Sequence, residues 1–401
     1  MAKVCIIGFG CVGSGTYEIL RQNREVISTR TGETVDVKYI VDIRDFSGQE
    51  VEPMVTTDFN AILSDDEVNI VVETMGGTTY AYDYTKAALE HGKSVVTSNK
   101  ELVAAKGDEL FEIARKNGVK YFYEAAVGGG IPIIRPLITS LCANKITEIT
   151  GILNGTTNYI LTNMLEHGVS FEKALNEAQK LGYAESDPSA DVEGFDTGKK
   201  ISILSSMALG VKVDYEDVYT QGITDVSSED TAYAEAMDCV IKLIGKYKYT
   251  QQGPEIYVAP MLVKRHTPLY GVDDVFNAIL VNGDMLGEAM FYGKGAGKLA
   301  TASAVVSDIM EAVKKSPDDI VVPWTGSDGK NIKNYNDVCA SFFVRIKNTD
   351  DSYAKAISKF ENEKTFELFD GEFGLITSPM TVGELDSVLE DFDVVNKFMF
   401  V

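Results

Sequence analysis

The chain has 401 residues, 45% hydrophobic and 24% charged, with 37 Lys and Arg against 60 Asp and Glu and a formal charge of -23. That length allows two or three domains around a large core. The negative field makes phosphate backbones and anionic membrane surfaces poor partners, so neither nucleic acid nor membrane binding is expected. No apolar run approaches the ~18 residues of a membrane span. No secretory leader is expected either, because Val4–Ile7 runs straight into a glycine loop. Five scattered cysteines without a C-x-x-C pair argue against a disulfide framework or structural zinc and suit a reducing cytoplasm.

Up to about residue 125, short β-type runs alternate with helical patterns, which predicts βαβ units and a parallel sheet. Strands are expected at Val4–Ile7, Val35–Val41, Ile70–Val72, Ser94–Val96 and Tyr121–Ala125, with helices at Gly15–Arg24, Tyr84–His91 and Lys106–Asn117. Beyond Pro136 the pattern becomes mixed. Strands are expected at Ile146–Leu153, Tyr257–Val263 and Asn277–Leu286, and helices at Thr157–Glu166, Phe171–Leu181, Gly198–Leu209 and Ala302–Lys315. From Cys339 to Val401 the order reads β-α-β-β-α-β, the ferredoxin-like split motif.

Gly8-Phe9-Gly10-Cys11-Val12-Gly13 is a G-x-G-x-x-G placed after an apolar strand and before a helix. There, glycine serves a tight turn, close approach to a pyrophosphate, and packing of helix on strand. A dinucleotide-binding, Rossmann-type doubly wound domain is therefore expected. After the second strand come Asp42 and Arg44. An acid there would bond the 2′-hydroxyl of NAD, and an arginine would accommodate the 2′-phosphate of NADP. The sequence alone leaves both open.

Lys100, in Thr97-Ser98-Asn99-Lys100, follows a strand end, where ligands of open α/β sheets bind. Asp196 and Lys200 stand at i,i+4 on one helix face, within an acidic segment that starts at Glu185 and includes Asp191. A lysine among carboxylates is a candidate general acid or base; a pair that only steadies a helix start is the plain alternative. Asn154 and Thr156 open a helix either as caps or as donors to a ligand. The loop Glu124–Gly130 offers a carboxylate and main-chain carbonyls to a hard cation. The three histidines share no ligand spacing, which argues against a His-based triad or zinc site.

With these residues in view, the chain resembles homoserine dehydrogenase over essentially its whole length. The segments that carry the likeness are Gly8–Gly13, Thr97–Lys100, Glu124–Gly130, Gly151–Leu161, Leu181–Asp196, His266–Leu269 and Gly293–Val305. The resemblance implies NAD(P)-dependent interconversion of L-homoserine and L-aspartate 4-semialdehyde, a step toward threonine, methionine and isoleucine. It implies Lys200 as proton donor fed by Asp196, Lys100 between nicotinamide and substrate, and Glu185 and Asp191 on the substrate's amino group. Gly8, Phe9, Gly10, Val12, Gly13, Arg44, Thr74, Lys100 and Gly297 would contact the cofactor, NADP or NAD. A sodium-type site maps onto Glu124, Val127, Gly129 and Ile131.

The expected architecture is a Rossmann domain over 1–135 completed by 295–335, an α+β substrate and dimerisation domain over 136–294, and an ACT-like unit over 339–401. A cytoplasmic homodimer or homotetramer is expected. A catalytically inactive NAD(P)-binding relative is the alternative, but it would be expected to lose one of Lys100, Asp196 or Lys200, and all are present. The turn Asn348-Thr349-Asp350-Asp351-Ser352 departs from the family's Pro- and Gly-rich pattern, which argues against close backbone approach to a threonine effector.

Overall fold

A computed structural model of the chain describes residues 1–314, 322–327, 332–349, 351–360 and 362–401. Lys315, in the last expected helix of the middle section, and Asp350, in the acidic turn, lie outside the described residues. Two compact units are present. The first is Met1–Lys145, Ser202–Tyr215 and Phe291–Gly329; the second is Ile146–Ile201, Glu216–Met290 and Lys330–Val401. Among the described residues no helix is long and apolar enough to cross a membrane.

The first unit holds β1 (Ala2–Ile7), β2 (Val35–Val41), β3 (Val55–Thr56), β4 (Val68–Glu73), β5 (Ser94–Thr97) and β6 (Tyr121–Phe122). They form a parallel sheet in the order β3-β2-β1-β4-β5-β6. Both faces of β1 are buried, which is why Val4–Ile7 reads as a continuous apolar run. The chain order reverses beside β1, the switch point at which such sheets open a crevice. Register aligns the strand ends there: Ile7 pairs with both Val41 and Glu73, and Glu73 pairs with Thr97. Gly8, Asp42, Thr74 and Ser98 therefore all emerge at one edge. Helix Lys298–Val313, though distant in sequence, packs Val305 and Ile309 into the same core as Val4, Ile6 and Val72.

Helices expected at Gly15–Arg24 and Tyr84–His91 run over Cys11–Gln22 and Thr79–Glu90, and two further boundaries have a clear local cause. Helix Lys100–Lys116 starts before Lys106 because Asn99 caps it, its side chain accepting the Leu102 N–H at 3.1 Å. The expected strand Tyr121–Ala125 stops at Phe122, and Glu124–Ala126 turns as a 3₁₀ helix.

The second unit's elements include β7 (Ile146–Ile152), β8 (Tyr219–Thr220), β9 (Cys239–Lys248), β10 (Glu255–Lys264), β11 (Phe276–Gly283) and β12 (Gly287–Lys294), the last running on into the first unit. They continue as β13 (Cys339–Ala340), β14 (Phe342–Lys347), β15 (Asn362–Phe366), β16 (Glu372–Thr377), β17 (Met380–Thr381) and β18 (Val394–Phe400). The large mixed sheet runs β12-β11-β7-β9-β10-β18-β14-β16-β15, with β8 paired to β10.

Sequence reading missed β9, because Lys242 and Lys246 interrupt its apolar pattern. Both are nonetheless buried. Lys242 donates to the Val272 carbonyl at 2.7 Å and pairs with Asp273, and Lys246 pairs with Glu148. Helix Ser228–Ala236 was missed as well, although a full capping box between Ser227 and Asp230 starts it.

The C-terminal segment keeps the β-α-β-β-α-β order through β14, helix Ser352–Lys359, β15, β16, helix Val382–Leu389 and β18. Its strands extend the large sheet: β18 is antiparallel to β14 and parallel to β10, with Met399 against Met261. Arg345 on β14, 3% exposed, pairs with Asp230 and with Glu372. At the turn that lacks glycine, Asp351 itself takes the left-handed conformation, φ 69°, which Asp tolerates better than most residues.

Candidate active site

At the edge of the first sheet, the three motif glycines have separable causes. Gly8 sits at φ 83°, the left-handed turn a side chain would strain. A Cβ on Gly13 would lie 2.1 Å from the Gly8 carbonyl oxygen, so helix and turn can only close on a glycine. A Cβ on Gly10 would meet no atom within 4 Å. That side of the loop is open, as a pyrophosphate approaching the backbone requires. Helix Cys11–Gln22 follows directly and presents its unpaired N–H groups.

Side chains from neighbouring strands pin the loop. Thr74 donates its hydroxyl to the Gly8 carbonyl at 2.6 Å and its N–H to Ile7 at 2.9 Å. The Phe9 N–H donates to Asp42 at 2.7 Å, and the Phe9 ring stands edge-on to Tyr17 and Phe46. Val12 accepts the Thr16 hydroxyl through its carbonyl at 2.9 Å. Gly297, at φ 121°, caps helix Lys298–Val313. Arg44 folds back onto Asp42, its Nε at 3.0 Å and its terminal nitrogen at 2.6 Å.

Lys100 occupies the first helical position after Asn99, and a buried relay holds that turn in place. The Thr97 hydroxyl donates to Glu73 at 2.6 Å and accepts the Asn99 N–H at 2.9 Å, while the Asn99 amide donates to the Gly77 carbonyl at 2.7 Å. Glu73 also accepts the Met75 N–H at 2.7 Å. Burial pushes its carboxyl up to about 7, against the lowering effect of these hydrogen bonds. Sequence reading missed Glu73. Its only signal was an acid closing an otherwise apolar strand.

In the second unit the candidate residues form a cluster of buried side chains. Lys200 Nζ lies 2.7 Å from Asp196 and donates to the Leu153 carbonyl at 2.7 Å. Asn154 joins the cluster: its amide donates to Asp191 at 2.7 Å and to Asp196 at 2.9 Å, while its oxygen caps helix Gly155–His167 through Thr157 N–H at 2.8 Å. Asn154 is thus the helix cap weighed from sequence, and its amide is spent on two carboxylates of the protein. Burial, then the nearby Asp196 charge, raises the Asp191 carboxyl above its ordinary range. The Asp196–Lys200 pair is more than a helix-start contact, because both groups are buried and share Asn154 and Leu153 with a second helix start. Glu185 is exposed, and its main-chain carbonyl accepts the Gln179 amide at 3.0 Å; its carboxylate stands outside the hydrogen-bonded cluster.

The loop after β6 is anchored by its own acid. Glu124 accepts N–H bonds from Ile133 at 2.6 Å, Ile134 at 2.8 Å and Arg135 at 2.8 Å. Three of the carboxylate's acceptor positions thus clamp the loop. A Cβ on Gly129 would lie 2.1 Å from the Gly295 carbonyl oxygen, so this glycine is explained by backbone packing. Among the described residues no group of three or more His, Cys, Asp or Glu can hold a metal. Main-chain carbonyl oxygens remain available to a hard cation.

Comparison with known proteins accounts for these features together. Residues 132–310 match the family described as homoserine dehydrogenase, and residues 8–124 match the homoserine dehydrogenase NAD-binding domain. The homoserine dehydrogenase of Neisseria gonorrhoeae is 40% identical over 359 residues, 87% of this chain and 82% of the relative. The crystal structure of a homoserine dehydrogenase from Thiobacillus denitrificans superposes with a TM-score of 0.92 at 34% identity, covering 100% of this chain and 98% of that one. A hyperthermophilic archaeal homoserine dehydrogenase in complex with NADPH matches with a TM-score of 0.68 at 30% identity, covering 79% of this chain and 98% of that one. The glycine loop, the strand-end lysine and the buried Asp196–Lys200 cluster therefore stand in a chain that belongs to the homoserine dehydrogenase family, the NAD(P)-dependent oxidoreductases acting on homoserine.

Proposed function

We propose that this chain interconverts L-homoserine and L-aspartate 4-semialdehyde with Lys200 as the group that exchanges the proton on the reacting oxygen. The observation that carries this reading is the 2.7 Å contact of Lys200 with Asp196 inside a buried cluster. Hydride leaving the alcohol carbon turns the hydroxyl into a carbonyl, so the hydroxyl proton must go to a nearby base. In reverse, the forming alkoxide takes it back from a cationic acid. Asp196 holds the ammonium in position, and Leu153 accepts its second hydrogen bond. Lys100, at the first position of helix Lys100–Lys116, would stand beside the nicotinamide. Asp191, with Glu185 at the exposed rim, receives the substrate's ammonium.

Bound NAD(P) supplies the hydride acceptor. Gly8, Phe9, Gly10, Val12, Gly13, Thr74 and Gly297 would hold it through backbone groups and a pinned turn. A sodium ion would rest on the main-chain carbonyls of Glu124, Val127, Gly129 and Ile131, where it would order the loop. The domain reading assigns the cofactor to the first unit, and substrate and dimerisation to the second. A homodimer or homotetramer in the cytoplasm is supported by exposed Met285, Leu286 and Met290 on one hairpin and by five free thiols. Steady-state oxidation of L-homoserine tests the reading. Lys200→Met should lower turnover by about 10²–10⁴-fold while leaving reduced cofactor bound, and turnover near the wild-type rate would contradict the assigned role.

A further inference from the structure

We propose that this chain takes NAD in preference to NADP, with Asp42 as the residue that sets the choice. The inference rests on the dehydrogenase reading above and concerns which dinucleotide fills the first unit.

An ionised carboxylate offers about four acceptor positions, and those of Asp42 are all in use. Two go to main-chain donors, the Phe9 N–H at 2.7 Å and the Arg44 N–H at 3.0 Å. The other two go to the Arg44 guanidinium, at 3.0 and 2.6 Å. The main-chain bonds fix the carboxylate against the phosphate loop, and its side chain is only 7% exposed. The Arg44 side chain is 55% exposed, so its hold is cheap to break. Ribose hydroxyls are donors and can take over the two positions that Arg44 vacates. A 2′-phosphate has no proton to offer at neutral pH and brings up to two negative charges against a carboxylate that cannot retreat. Arg44 and backbone N–H groups also hold the Asp42 carboxyl well below the usual carboxylate range, so the cofactor meets an ionised carboxylate.

The surroundings point the same way. Two further cations near the loop are engaged with carboxylates: Arg21 with Glu50, and Lys298 with Glu18 at 2.8 Å. Freeing Arg44 for a phosphate would leave Asp42 uncovered, and a net charge of -23 adds a general penalty for the more anionic cofactor.

The test compares kcat/KM for L-homoserine oxidation with NAD and with NADP at fixed ionic strength. The wild-type chain should favour NAD by roughly ten-fold or more, since like-charge contacts are strongly disfavoured. Asp42→Asn keeps an acceptor for the Phe9 N–H and removes the charge; it should move the ratio toward NADP by about ten-fold or more. Arg44→Ala should keep the preference for NAD. Equal or better use of NADP by the wild type, or an unchanged ratio in Asp42→Asn, would overturn the proposal. Competition against bound NADH by AMP and by adenosine 2′,5′-bisphosphate needs neither a variant nor turnover. AMP should bind more tightly, and the reverse order would overturn the coenzyme choice. No turnover with either dinucleotide would instead overturn the homoserine reading, leaving the competition experiment to decide the coenzyme.

Discussion

The glycine loop of the first unit and the buried Lys200 cluster of the second, proposed above for cofactor and substrate, are built from different materials. At the edge of the first sheet the recognition surface is mainly backbone: a turn at Gly8, an open side at Gly10, a contact at Gly13 that excludes any Cβ, and a helix start. In the second unit it is a cluster of buried side chains, Asn154, Asp191, Asp196 and Lys200, that satisfy one another. At a backbone site, a side chain added where space is open leaves the fold intact and stands in the ligand's way, and one added where space is closed disrupts the fold itself. A side-chain site depends on each of its members, because removing one leaves a buried charge or donor unpaired.

That contrast can be broken in order of expected effect. Lys200→Met should lower turnover with homoserine by about 10²–10⁴-fold, the range for a lost general acid or base, while NADH affinity by fluorescence titration stays within about three-fold, since no cofactor-end residue changes. Gly13→Ala should do the opposite kind of damage. Its Cβ collides with the Gly8 carbonyl, costing about 1–3 kcal/mol of stability and most of the affinity for NADH; calorimetry and titration would measure the two. Asn154→Ala removes the bridge between Asp191 and Asp196 as well as a helix cap. It should lose about 1 kcal/mol and turnover, whereas Asn154→Ser, which can still cap, should recover stability without recovering turnover.

A further expectation concerns pH. Glu73 titrates at about 7 in the folded chain and near 4.3 when unfolded. The folded state therefore holds the extra proton between those values. Its contribution is full below about pH 4.3 and is lost as pH rises through about 7. Glu73→Gln should flatten that part of a melting-temperature profile, and an unchanged slope would show that Glu73 does not titrate as described.

The same contrast explains what could be read in advance. The glycine loop was legible because its cause is local: three glycines, a strand and a helix start lie within a few residues. Lys200 with Asp196 was legible as an i,i+4 pair. Asn154 as their partner was not, since Asp191 and Asp196 come from a different stretch of chain and only folding brings the three together. Strand β9 was hidden for a related reason. Lys242 and Lys246 look like surface residues until Asp273 and Glu148 appear beside them. Glu73 read as the end of a strand, and its relay through Thr97 and Asn99 to the turn carrying Lys100 exists only once β4 and β5 are in register.

The most direct test sets Gly10→Ala beside Lys200→Met and measures NADH affinity and homoserine turnover at saturating cofactor in both. A Cβ on Gly10 meets no protein atom, so this variant should fold normally, bind NADH weakly and recover much of its turnover when cofactor is raised. Lys200→Met should bind NADH normally and stay inactive at any cofactor concentration. That crossed pattern is what separate backbone and side-chain sites predict; loss of NADH binding in Lys200→Met, or normal NADH binding in Gly10→Ala, would contradict it.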